Sequence, residues 1–297
     1  MGRGSGGWGP GKKAGWGPGK EGVAVVIPLV VGIDGSESSL EAVDWAVGEA
    51  ARHTVPLHLV HAAEPGREAS DLIAVASARA GTGTAAVRLS SEVLYGDAAL
   101  ALIGKGRNAF ALVLGSRGLG GLTGLLLGSV GLAVAARADC PVVVVRGSAE
   151  HRGVRFGSVV VGVEDGEGSD TAVEFAFREA HVRRCELVAV HARSTPASAP
   201  SEPPPGSWYP REARRRPPAQ VLDDALRGPA EQYRNTTVRR RVVEVPARQA
   251  LLEAASGADL LVVGAGKRHG HFGLQLGLIN HAVLHHAPCP IVVVPRK

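Results

Sequence analysis

Short apolar runs alternate along this chain with longer segments in which apolar residues recur every three or four positions. Residues 29–33, 57–62, 87–93, 111–114 and 142–145 read as strands, since uninterrupted β-branched runs bounded by turn residues suit strands buried on both faces. Between the first two, Ser38 and Glu41 form a capping-box pair ahead of a helix whose Leu40, Val43, Val47 and Ala50 share one face. Residues 71–80 read as a short helix, and 97–106 as another with Leu100 and Ile103 turned inward. Strands alternating with helices across short turns predict an α/β fold, a parallel sheet covered on both faces. Such sheets take their ligands outside the carboxyl ends of the strands, where the strand order reverses.

The same pattern occurs twice. Val30-Val31-Gly32-Ile33-Asp34 returns as Val160-Val161-Gly162-Val163-Glu164, and Ala42-Val43-Asp44-Trp45-Ala46 as Ala172-Val173-Glu174-Phe175-Ala176, both at an offset of 130. Val60-His61-Ala62 matches Val190-His191-Ala192 at that offset, whereas Leu112-Val113-Leu114-Gly115 and Cys140-Pro141-Val142 return 149 residues later. The additional residues fall between His191 and Gly264, where the Pro-, Ser- and Arg-rich stretch 194–219 reads as a mobile loop. The expected organisation is a Gly-rich disordered tail over 1–22, one domain over 23–147 and a second over 155–297.

Composition narrows the class. Apolar residues at 45% and charged residues at 21% fit a soluble globular protein, and only 4% are aromatic, so Val, Leu, Ile and Ala must build the core. The net charge of +5 owes much to two clusters, Arg211, Arg214, Arg215 and Arg216, and Arg239, Arg240 and Arg241. Without interleaved aromatics these read as solvated surface and not as a nucleic-acid face. Cys140, Cys185 and Cys289 form no CxxC pair and read as small buried hydrophobes in a reducing cytoplasm. Lys12, Lys13 and Lys20 before the apolar run at 23–33 have the order of a signal peptide, yet no small-residue cleavage site follows. The uncharged stretch 119–136 is crowded with glycine, so it does not read as a membrane span. His281 and His285 have helical spacing that can bind zinc, but no nearby acid or cysteine completes a ligand set.

The chemistry concentrates after the fourth strand, where Gly115-Ser116-Arg117-Gly118 is followed, nine residues on, by Gly128-Ser129. Glycines allow close backbone approach, and successive N–H groups at a helix start form an anion nest to which Ser129 adds a hydroxyl and Arg117 a charge. No Gly-Lys-Ser/Thr follows, so this is not a Walker loop, and no GxGxxG follows the first strand. Packing alone would also account for glycines here. Asp34, at the end of strand one beside strand four, adds an acid suited to a ribose or an adenine edge.

Gly115-x2-Gly118-x9-Gly128-Ser129, preceded by Val-Gly-Ile-Asp-Gly-Ser and followed by Cys-Pro-Val-Val-Val-Val, resembles the ATP-binding type of universal stress protein, in a tandem, actinobacterial-like form. The resemblance covers residue 28 onward, twice over, and implies two tandem Rossmann-like domains, each a five-stranded parallel sheet covered by helices. It implies dimerisation through the last strand, so the repeats should pair within one chain through 142–145 and 291–294; a homodimer beyond that is left open. It places Asp34 and the backbone at Ala62 against adenosine, and Gly115, Arg117, Gly118, Gly128, Ser129 and Val130 around ribose and phosphates. The implied ligand is ATP, with Mg²⁺ able to accompany the phosphates, in a cytoplasmic regulator that acts on a protein partner.

The second repeat departs from this pattern. Lys267 stands at the second glycine, Leu278 follows Gly277 where Ser or Thr is expected, and Glu164-Asp165 replaces Asp-Gly. The expectation is a weak or absent second site. No Gly-x-Ser-x-Gly elbow or HExxH is present and no acid pair stands out as general acid and base, so a regulator leads over an enzyme; a slow ATPase and a nucleotide-free interaction scaffold are the alternatives.

Overall fold

A computed structural model describes residues 26–63, 70–82, 86–118, 127–166, 169–193, 216–266 and 276–296. The first repeat runs β1 (Leu29–Ile33), α1 (Glu37–His53), β2 (Leu57–Ala63), α2 (Ser70–Gly81), β3 (Leu89–Tyr95), α3 (Ala98–Gly106), β4 (Ala111–Gly115), α4 (Ser129–Arg137) and β5 (Val142–Val145). A short helix, α5 (Ala149–Gly153), leads into the second repeat. That repeat runs β6 (Ser158–Gly162), α6 (Asp170–Arg183), β7 (Glu186–Ala192), α7 (Pro218–Gln232), β8 (Val238–Val243), α8 (Ala247–Ala255), β9 (Leu260–Gly264), α9 (Leu278–His286) and β10 (Ile291–Val294). The tail at 1–22 and residues 194–215 lie outside the described residues, and Pro218 and Ala219 belong to α7.

The ten strands of the described residues form one sheet in the order β3-β2-β1-β4-β5-β10-β9-β6-β7-β8. Neighbours are parallel except at the centre, where β5 and β10 pair antiparallel with Ile291 opposite Val144 and Val293 opposite Val142. The four valines of β5 are all buried, as a strand covered on both faces requires. Alternate strand residues feed two cores: Val31, Val113 and Val143 meet α1 and α6, while Val30, Leu112, Val142 and Val144 meet α3, α4, α8 and α9.

The edges are polar. On β8, Arg239 pairs with Glu186 at 2.9 Å, Arg240 with Asp223 at 3.0 Å and Arg241 with Glu253 at 3.5 Å. This arginine cluster is thus an edge strand whose charges are matched on the same surface, which blunts sheet-to-sheet addition.

Three local expectations are corrected. Helix α1 is capped by Ser36 and not by a Ser38–Glu41 box: Ser36 Oγ accepts from the Ser39 N–H at 3.2 Å, and Ser38 is buried. The turn at Gly35, with φ of +85°, starts the helix that much earlier. Strand β3 begins at Leu89, set by its register against Leu57, while Val87 packs on the core from the preceding coil. Leu100 is 56% exposed, because the buried stripe of α3 is Ala99, Leu102 and Gly106 and leaves Leu100 one position out of phase.

Helices α1 and α6 meet across the junction of the repeats and bury charge there. Glu49 and Glu179, one repeat apart, are 3% and 1% exposed. Arg183 donates to Glu49 at 2.7 Å and lies 3.6 Å from Glu179, and His53 Nε2 is 3.1 Å from Glu49 and 3.2 Å from Glu179. Arg52 also pairs with Glu49. Burial raises the Glu179 carboxyl, with the neighbouring Glu49 charge adding to it. Burial acts the same way on Glu49, but Arg183 and the hydrogen bonds from His53 and Glu179 outweigh it and hold that carboxyl below its usual range.

His53 titrates high for a related reason. Burial disfavours its charge, yet hydrogen bonds to Glu179 and Glu49 win and lift its pKa to about 9. Its contribution to stability is therefore complete below the ordinary value of 6.5 and is lost as pH rises through about 9. Urea midpoints should fall progressively as pH rises from about 6.5 and level off above about 9, and His53→Gln should flatten that fall.

Burial also pushes the Cys140 and Cys289 thiols up to about 12, as expected of cysteines that serve as core hydrophobes.

Candidate functional site

The strand order reverses between β1 and β4, which pair with Leu29 opposite Ala111 and Val31 opposite Val113. Beyond their carboxyl ends lies a cavity of about 470 Å³. Asp34, Ala62, Gly115, Arg117, Gly118, Gly128, Ser129 and Val130, the eight residues singled out from sequence, all stand on its wall. Val60, Leu102 and Leu114 supply an apolar side.

Two glycines are required there by close approach. A Cβ at Gly118 would lie 2.5 Å from Asp34 Oδ2, and one at Gly115 would lie 2.5 Å from the Ser38 carbonyl oxygen. Opposite them, α4 starts at Gly128, which offers no side-chain cap, so the first-turn N–H groups of α4 are not satisfied from Gly128. With the helix dipole behind them and the exposed Ser129 beside them, they form a site for negative charge.

A set of serines was not foreseen from sequence. Ser36 Oγ donates to Asp34 Oδ1 at 2.6 Å and lies 3.2 Å from the Arg117 carbonyl oxygen, and the Ser36 N–H reaches Asp34 Oδ1 at 3.0 Å. The Arg117 N–H donates to Ser38 Oγ at 3.2 Å, and Ser38 Oγ lies 3.4 Å from Ser116 Oγ. These bonds fasten the β1–α1 turn to the loop after β4 and fix the carboxylate of Asp34. The available signal was Ser36-x-Ser38-Ser39 directly after Asp-Gly.

The second repeat has an equivalent cavity of about 570 Å³, lined by Glu164, Asp165, His191, Arg193, Arg216 and Asn280 among others. One tie is kept: the Glu164 N–H donates to Ser169 Oγ at 2.7 Å, as Asp34 does to Ser39 at 3.4 Å. The others are gone, since glycines 166 and 168 stand where the first repeat has Ser36 and Ser38. Arg216 instead bonds Asp165 at 2.7 Å, Asn280 Nδ2 donates to the Gly264 carbonyl at 2.8 Å, and Leu278 is 92% exposed at the start of α9. Lys267 lies outside the described residues.

The histidine pair weighed for zinc lies ring against ring, tilted by 35°, with the His281 and His285 centroids 4.4 Å apart. Among the described residues, the group whose potential ligand atoms converge is Glu49, His53 and Glu179, and there arginines already occupy the carboxylates. No helix among the described residues is long and apolar enough to cross a membrane.

Two Rossmann-like units fused through their last strands, each with a crevice at its switch point, define a tandem α/β protein. The chain belongs to the universal stress protein family, whose model matches residues 28–146 and again 155–295. A universal stress protein of Mycobacterium tuberculosis strain H37Rv is 33% identical over 292 residues, which cover 89% of this chain and 95% of that protein. One from Mycobacterium bovis is 31% identical over 299 residues, covering 89% and 94%. The crystal structure of a universal stress protein from Archaeoglobus fulgidus, 17% identical, covers 92% of this chain and all of its own with a TM-score of 0.66.

Proposed function

We propose that the first-repeat crevice binds ATP and that the protein is a nucleotide-dependent regulator in the stress response, with the second repeat acting as a degenerate partner domain. The observation that carries this reading is the convergence, in one cavity, of an anchored carboxylate, two glycines with no room for a side chain and an open helix N-terminus. Asp34, held by Ser36, suits the hydroxyls of a ribose, and Val60, Leu102 and Leu114 suit a base. The start of α4, Ser129 and Arg117 suit phosphates. A Mg²⁺ ion would have to be held chiefly by those phosphates, because Asp34 is the sole acid on the described wall and already accepts from Ser36. The second crevice has glycines in place of Ser36 and Ser38 and carries Leu278 at its helix start, which favours a single occupied site.

The test is mass analysis of nucleotide released from freshly purified protein. About one ATP per chain is expected, and Asp34→Ala should lower that yield at least tenfold. Two per chain would overturn the degenerate second site; none, with no binding of added ATP, would leave an interaction scaffold. Bound ATP should stay intact over hours, and steady phosphate release abolished by Asp34→Ala would instead establish a slow ATPase.

A further inference from the structure

The two crevices share one half of their wall and differ in the other. Offsets of 130 before the inserted stretch and 149 after it pair their residues one to one. Where the first crevice has Asp34, Val60, Ala62, Leu102 and Leu114, the second has Glu164, Val190, Ala192, Leu251 and Val263. Each is an apolar floor with an acid at the end of the first strand of its repeat. Gly162 and Ser169 likewise match Gly32 and Ser39 on the two walls.

The half that faces the start of the following helix is built differently. The first wall takes Gly128, Ser129, Val130 and Gly131 from the opening of α4, and the second takes Ile279 and Asn280 from α9. Asn280 stands at the position of Gly131, is 6% exposed, and donates from Nδ2 to the Gly264 carbonyl at the end of β9. A buried amide therefore ties the helix start to the strand end, where the first crevice has bare backbone. Leu278, at the position of Ser129, puts an exposed hydrocarbon where a phosphate would need a donor.

The other polar groups of this wall are engaged or open to water. Arg216 bonds Asp165 at 2.7 Å, His191 Nδ1 lies 2.9 Å from the Val163 carbonyl oxygen, and Arg296 approaches Glu164 at 3.5 Å. Arg193 is exposed. The wall thus keeps what would hold a base and a sugar and changes what would hold a phosphate chain.

We infer that the second crevice is a nucleoside site, which takes the base and ribose of a molecule such as adenosine and discriminates against its triphosphate. This rests on the reading of the first crevice as a nucleotide site, because the shared half of the wall is what a base and ribose would meet there. The base lies on Val190, Leu251 and Val263, and Glu164 faces the ribose hydroxyls. Asn280 and Leu278 deny a polyphosphate the helix start. A cavity of about 570 Å³ has room for a nucleoside.

The test is titration of adenosine into full-length protein whose first crevice is saturated with ATP, followed by backbone amide NMR. Adenosine should shift residues 162–165, 190–193 and 263–265 with a dissociation constant of about 1 mM or tighter, and leave the signals of 115–118 and 128–131 in place. Excess ATP should shift the same second set at least tenfold more weakly. Ala247→Trp, which adds a ring to this wall from the first turn of α8, should weaken adenosine tenfold or more without changing ATP at the first crevice. No shifts at about 5 mM adenosine would overturn the inference, as would equal shifts in Ala247→Trp. So would ATP that shifts residues 162–165 as strongly as adenosine does, or adenosine that binds by displacing ATP from the first crevice. Protein that binds no ATP at 115–118 would overturn the reading of the first crevice alone, and the nucleoside site would still stand or fall on the adenosine shifts at 162–165.

Discussion

Gly118→Asp should purify free of nucleotide and bind added ATP at least a hundredfold more weakly than the wild type. The new Cβ alone would stand 2.5 Å from Asp34 Oδ2, so either the loop after β4 or the carboxylate must move. The added charge then faces Asp34 inside the crevice and opposes the anion that α4 is disposed to accept. A hundredfold loss corresponds to about 2.7 kcal/mol, within what a displaced wall and an added like charge can cost. Thermal melting with and without ATP separates a lost site from a lost fold: ligand-free midpoints should agree closely, while the ATP-induced rise seen in the wild type should vanish. A variant that still rises with ATP would show that the glycine loop does not form the binding wall.

The largest stability effect is expected far from that crevice. Arg183→Met removes the guanidinium that serves both Glu49 and Glu179 at the junction, leaving two nearly buried carboxyls with His53, Arg52 and Arg178 as their remaining close cations. Breaking a buried pair by removing one partner typically costs about 3–5 kcal/mol, because the surviving charge is uncompensated. Urea unfolding should show a loss of that order. The double variant Arg183→Met with Glu179→Gln should recover a good part of it, since one of the two stranded acids is gone. A single variant within about 0.5 kcal/mol of wild type would mean that the cluster contributes little.

The repeat was legible because it is written in local, apolar patterns: two valine-rich first strands at a fixed offset, and two final strands after Cys-Pro. The β5–β10 seam was expected from the family resemblance, which implies pairing through the last strand, and the uncharged runs 142–145 and 291–294 agree with it. The crevice wall was legible because glycine spacing records where the backbone must come close. Its serines were not, since Ser36 reads equally well as a helix cap, a role it also fills. The junction cluster was hidden for a different reason. Helical periodicity assigns Glu49, His53, Glu179 and Arg183 to a polar face, and the partners of α1 lie more than a hundred residues away. Leu100 shows the converse error, an apolar residue next to the buried stripe and not on it.

The antiparallel step in an otherwise parallel sheet has one more consequence. It turns the second repeat end over end, so the two crevices open at opposite ends of the molecule. Whatever occupies one cannot touch what occupies the other. Any coupling between them would have to cross the middle, where the helix that begins beside Asp34 carries Glu49 and His53 at its far end, against Glu179 and Arg183. What joins the two ends is therefore a seam of valines and one knot of buried charge.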